Sequence, residues 1–115
     1  MDFRAIAIGG KYAGVIKPMN ESQAARKVVV CNPQGLHARP ADLFVKLAAR
    51  YESKIEVIKD NERVDGKSIL AILTLAAVEG TELMIEAIGS DANEAIDALA
   101  ELVTQNFAEK GTVEQ

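Results

Sequence analysis

An α+β fold is what the sequence predicts: a two-layer open-faced sandwich in which about four strands form one sheet, with helices on one face and water on the other. Three observations predict it. Short β-branched runs alternate with stretches whose apolar residues recur at three- and four-residue steps. Turn-forming Gly, Pro, Asn and Asp residues separate those segments, and the resulting order is β, α, β, β, α, β, α.

Residues 1–25 stand apart as an N-terminal extension of unknown role. Gly9, Gly10, Gly14 and Pro18 interrupt its apolar pieces Ile6-Ala7-Ile8 and Val15-Ile16, so a flexible segment is expected, with an added edge strand or docking on the surface as the alternative. From Arg26 to Gln115 the pattern is that of one domain. Arg26 to Asn32 is a β-branched run closed by Pro33-Gln34-Gly35, a turn, and forms the first strand. Leu43, Phe44, Leu47, Ala48 and Tyr51 then line one face of a helix over about Ala38 to Tyr51. Lys54 to Lys59 and Arg63 to Val64 are two strands joined through Asp60-Asn61-Glu62, short enough for an antiparallel hairpin. A short apolar helix follows from Ser68 to about Val78, with Gly66 before it and Gly80 after it. Leu83 to Ile88 is the fourth strand. Asp91-Ala92-Asn93-Glu94 then has the form of a capping box, opening a last helix whose face is Ala95, Ile96, Leu99, Leu102, Val103 and Phe107.

Composition removes several classes of function. The chain has 115 residues, 49% of them hydrophobic and 26% charged, in keeping with one core and against wholesale disorder. Its net charge of -4 argues against a broadly basic nucleic-acid binder. The acidity is concentrated: residues 79–115 carry nine acidic and one basic side chain. Cys31 is the single cysteine, so no internal disulfide forms, and a reducing, cytoplasmic setting is expected. The stretch Ile69 to Val78 is far short of the roughly 20 apolar residues of a membrane span. No secretory signal is expected at Met1-Asp2-Phe3-Arg4.

The stretch richest in chemistry is Gly35-Leu36-His37-Ala38-Arg39-Pro40, which contains the only histidine. Imidazole, with an ordinary pKa of about 6.5, is a neutral nucleophile near pH 7 and can accept a phosphoryl group. A helix start supplies unpaired N–H groups and partial positive charge, which stabilise an anion there. Pro40 suits one of the first helical positions and leaves the amides of Ala38 and Arg39 to meet phosphoryl oxygens. The Arg39 guanidinium adds a planar donor fork. The plainer alternative is a surface histidine beside a solvated arginine. No metal is expected, since a lone His with Asp42 nearby does not assemble a transition-metal site, and no cofactor is expected either.

This hexapeptide resembles the phosphorylation signature of the HPr family, the histidine-containing phosphocarriers of bacterial sugar phosphotransferase systems. The resemblance extends over roughly residues 27–108 and includes a second segment, Gly66-Lys67-Ser68-Ile69-Leu70. It implies four antiparallel strands with three helices on one face. It also implies that His37 takes phosphate on Nδ1 from phosphoenolpyruvate-charged enzyme I and hands it to an enzyme IIA, with Arg39 beside it. Such a chain is a carrier and not a turnover enzyme, and a monomer is expected.

Gly66-Lys67-Ser68 also has the ending of a phosphate-binding P-loop, but that pattern needs glycine where Asn61 stands, so nucleotide binding is rejected. By position alone Ser68 is a helix N-cap. The resemblance adds regulatory phosphorylation of Ser68, with an HPr kinase/phosphorylase and a transcriptional regulator as further partners. It further implies that Lys46, Ile69, Leu70 and Leu73 border the histidine as a docking face. Periodicity agrees that Ile69, Leu70, Ile72 and Leu73 are too many apolar residues for one narrow stripe, so some are exposed beside the basic rim of Arg39, Lys46 and Lys67. Plain core packing with solvated lysines remains the alternative for Ile72 and at least one leucine. Two other readings of the chain stay open: a mainly regulatory HPr-like binding module, and a nitrogen-type relay not coupled to sugar uptake.

Overall fold

The computed structural model describes residues 22–107. The elements in order are β1 (Ser22–Val29), α1 (Ala38–Ala48), β2 (Lys54–Lys59), β3 (Glu62–Asp65), α2 (Ile69–Thr74), β4 (Glu82–Gly89) and α3 (Ala92–Thr104). The pieces at Ile6 to Ile8 and Val15-Ile16 lie outside the described residues. All pairings in the four-stranded sheet are antiparallel, in the order β1-β4-β2-β3. Both the element order and the layered architecture match the expectation.

The core follows from strand alternation. Leu83, Ile85 and Ala87 of β4 and Ile55 and Val57 of β2 are buried beneath the helices. Against them pack Ala41, Phe44 and Ala48 of α1, Ile72 of α2, and Ala95, Ile96, Leu99 and Val103 of α3. On the other face Glu56 and Glu86 stand directly opposite each other, a pairing that by itself repels. Arg63 on β3 resolves it, with Nη1 2.7 Å from Glu56 and 2.6 Å from Glu86. Those bonds, the one to Glu86 foremost, raise the guanidinium pKa above its ordinary value.

Several boundaries differ from expectation. β1 begins at Ser22 and ends at Val29, so the division expected between Ala25 and Arg26 cuts a strand. Ser22 to Ala25 lack a β-branched signal but pair with Glu86 to Gly89, and pairing overrides propensity. α1 stops at Ala48, where the amides of Arg50 and Tyr51 turn to the carbonyls of Leu47 and Ala48 at the tighter three-residue spacing. α2 is shorter than the apolar run, because Ala76 adopts a left-handed φ of 50°. The hairpin closes through Asp60 and Asn61 alone, with Glu62 already in β3.

The capping box is a correction. Asp91 is the N-cap of α3 but makes no side-chain cap bond. Its carboxylate instead accepts from the backbone amides of Glu52 and Ser53 and from the Ser53 hydroxyl, tying the loop after α1 to the start of α3. Those donors, the hydroxyl first, hold its pKa below the ordinary carboxylate value.

Candidate functional site

The site is built from the turn that leaves β1. Asn32 to Gly35 form a turn in which the Gly35 amide donates to the Asn32 carbonyl at 3.0 Å. Gly35 has a φ of +73°, and a Cβ there would lie 2.4 Å from the Ala77 carbonyl oxygen, so backbone conformation and close approach both demand glycine. The next amide, Leu36, donates to that same Ala77 carbonyl at 2.8 Å, and the Leu36 side chain is buried. The loop is therefore pinned to the segment after α2 immediately before the imidazole.

His37 is the N-cap of α1, with extended backbone at φ -98° and ψ -161° and an exposed side chain. Its carbonyl accepts from Ala41 at 3.0 Å, the first turn of the helix, while the imidazole makes no cap bond. Ala38, Arg39 and Pro40 are the first three helical residues. The N–H groups of Ala38 and Arg39 thus have no carbonyl one turn back within α1, and Pro40, which is buried, has no N–H to place. Arg39 is exposed. The structure thus places His37, the two first-turn amides and residue Arg39 at one helix terminus.

Ser68 lies elsewhere. It is the N-cap of α2, where its hydroxyl accepts from the Ala71 amide at 3.2 Å and its carbonyl accepts from Ile72 at 3.0 Å. Lys67 beside it donates Nζ to the Tyr51 carbonyl, just past the end of α1, at 2.7 Å. α1 and α2 pack together, the start of α1 beside the segment after α2 and the start of α2 beside the segment after α1. His37 and Ser68 therefore occupy opposite ends of one helix pair.

Residues expected around the histidine divide between those ends. Lys46 is in the last turn of α1, roughly 13 Å along the axis from His37 at the usual helical rise, so it stands at the Ser68 end. It pairs with Asp42 at 3.1 Å, and both groups are solvated. Leu70 is 73% exposed, whereas Ile69 and Leu73 are half-buried against the core and Ile72 is fully inside it. Lys67 contributes its charge to the Tyr51 carbonyl and not to an open rim. Among the described residues no group of three or more His, Cys, Asp or Glu side chains is arranged to hold a metal ion, and no helix is long and apolar enough to cross a membrane.

Sequence reasoning missed Asn32. It treated the residue as the end of a strand, whereas the side chain is buried and its Nδ2 donates to the Gly35 carbonyl at 2.7 Å. An Asn three residues before a Gly, at the end of a β-branched run, was the available signal.

Comparison with known proteins assigns the fold to a class. Residues 24–105 match the family described as "PTS HPr component phosphorylation site". Phosphocarrier protein HPr of Pseudomonas aeruginosa is 43% identical over 86 residues, covering 74% of this chain and 96% of the relative. The HPr-like protein Crh of Bacillus subtilis is 42% identical over 80 residues, covering 70% of this chain and 94% of the relative. The crystal structure of HPr-C-His from Thermoanaerobacter tengcongensis superposes with a TM-score of 0.72 at 41% identity, covering 76% of this chain and 98% of that one. These are phosphocarrier-type open sandwiches. The chain belongs to the HPr family of the phosphotransferase system.

Proposed function

We propose that this protein carries a phosphoryl group on His37, receiving it from phosphorylated enzyme I, itself charged by phosphoenolpyruvate, and passing it to an enzyme IIA. The observation that carries the reading is the exposed imidazole at the N-cap of α1, committed to no cap bond, beside two first-turn amides and Arg39. In the receiving step the Nδ1 lone pair attacks phosphorus, the P–N bond to the donor imidazole breaks, and its electron pair returns to that ring. Delivery is the same displacement with His37 as the leaving group. Phosphoryl transfer asks the surrounding protein chiefly for position and charge, which Ala38, Arg39 and the helix terminus supply.

Ser68 serves as a regulatory phosphorylation site in this proposal, modified by an HPr kinase/phosphorylase and read by a transcriptional regulator. Leu70, with Ile69, Leu73 and Lys46, forms the surface on which partners dock. The protein acts as a cytoplasmic monomer, with residues 1–25 an extension to the carrier domain.

Incubating the full chain with enzyme I and phosphoenolpyruvate tests the central claim. One acid-labile phosphate per chain is expected, and none on His37→Ala. Labelling of His37→Ala at the parental level would refute the relay. Likeness to Crh, whose solved structure is described as a catabolite repression protein, favours a second reading in which the chain is mainly a regulatory module presenting Ser68. Failure of His37 to accept phosphate, together with retention of a partner only by phospho-Ser68 protein, would establish that reading. A nitrogen-type branch would be the same chemistry with a different recipient.

A further inference from the structure

We infer that Asn32 is a positioning residue for phosphoryl transfer, acting through the Gly35–Leu36 peptide to hold the His37 loop in its reactive place. This rests on the relay reading above and adds a residue to it.

The peptide joining Gly35 to Leu36 has two polar ends, and both are held. Its carbonyl accepts from Asn32 Nδ2 at 2.7 Å, and its N–H donates to the Ala77 carbonyl at 2.8 Å. One bond comes from the strand side and the other from the segment after α2. A peptide plane held at both ends cannot rotate without breaking one of them, and the very next residue after Leu36 is His37. Burial makes the hold stiff: Asn32 is 8% exposed and Leu36 5%, so water does not readily replace either partner.

The Asn32 Oδ1 has no protein partner among the described residues, so the Nδ2 bond to Gly35 is what ties this side chain to the loop. The Nδ2 end meets the carbonyl of Gly35, two residues before the imidazole. Reacting groups must be held to well under an ångström, and displacement by about 1 Å costs on the order of a hundredfold in rate.

The test measures steady-state phosphorylation of the full chain by enzyme I and phosphoenolpyruvate. Asn32→Asp keeps the shape but, when ionised, removes the donor to the Gly35 carbonyl, and Asn32→Ala removes the side chain. For both we expect kcat to fall by about tenfold or more with KM within about twofold. Val103→Ala, on α3 and buried, supplies a control destabilised away from the loop and should keep the parental kcat. Lowering the pH should restore Asn32→Asp relative to the parent, since a protonated carboxyl again donates. A second measurement uses the unaltered protein: the Asn32 side-chain amide protons should be protected from solvent exchange.

A parental kcat in Asn32→Asp, a KM change without a kcat change, an equal loss in Val103→Ala, or free exchange of the Asn32 amide would each overturn the inference. Absence of labelling on His37 in the parent would be a different result, removing the relay itself.

Discussion

The starts of α1 and α2 are both helix termini bearing a candidate phosphate acceptor, and they are built in opposite ways. At α2 the acceptor is also the cap, since the Ser68 hydroxyl takes the Ala71 amide. At α1 the acceptor is not the cap: the His37 side chain bonds to nothing in the helix, and the terminus is fixed from behind by Gly35, Leu36 and Ala77. A group that must be loaded and unloaded repeatedly is best kept out of the hydrogen bonds that hold the fold. A phosphate on the proposed site Ser68 would instead sit at a helix N-terminus, where the free amides and the helix dipole favour it, so it should act by changing the surface and not by unfolding α2.

Gly35→Ala should break this comparison most strongly from the α1 side. The added methyl would meet the Ala77 carbonyl at 2.4 Å and the Val78 Cα at 2.9 Å, both backbone, at a φ of +73° that disfavours any side chain. We expect a loss of about 3 kcal/mol in urea denaturation. Because the loop bears His37, labelling by enzyme I should also fall under conditions where the variant remains folded. An unchanged midpoint would mean that the loop is not held against Ala77 in solution.

Much of this architecture is legible in the residues. β2 reads to the residue, because Lys54 to Lys59 alternates cleanly between the buried Ile55 and Val57 and the more open Glu56 and Ile58. Ser68 reads as a cap because serine before an apolar helix has few other local roles. What escapes is whatever depends on a distant partner. The first half of β1 is written in small and polar residues and becomes a strand only by pairing with β4. Asp91 fits a local capping pattern, yet its carboxylate is claimed by Glu52 and Ser53, brought near by the end of α1. Asn32 resembles a turn residue until burial and its bond to Gly35 are seen. His37, Ala38 and Arg39 are adjacent in sequence, so their gathering at one terminus needed no tertiary information. The spread of Lys46 toward Ser68 did.

A third helix start sharpens the comparison through pH. Asp91 is the N-cap of α3 in position, but its acceptor capacity serves the Glu52–Ser53 loop, and those bonds hold its pKa below the unfolded value. A carboxyl depressed on folding stabilises the protein above its unfolded pKa of about 3.9, and that contribution is lost as pH falls through the folded value. Asp91→Asn places an amide donor among donors and should destabilise by about 1 to 2 kcal/mol at neutral pH. The gap between variant and parent should narrow as pH drops below the ordinary carboxylate range. A gap constant down to pH 3 would show that the ionised group is not what the loop binds.

The smallest expected effect lies at α2. Ser68→Ala deletes the acceptor for the Ala71 amide and should lower stability by about 1 kcal/mol, whereas Ser68→Gly should lose only a few tenths. Neither should change the rate at which enzyme I labels His37 by more than about twofold, since the bonds that fix the α1 terminus come from Asn32, Gly35 and Leu36. Denaturation curves and labelling rates on the same two variants separate the outcomes. A stability loss with labelling intact means the two termini are independent in the unmodified chain, so that any influence of phospho-Ser68 on His37 must come from the added charge or from a blocked docking surface. Labelling that falls in step with the lost cap would mean instead that α2 holds Ala77, and through it the imidazole, and that a phosphate on Ser68 could act by loosening the helix alone.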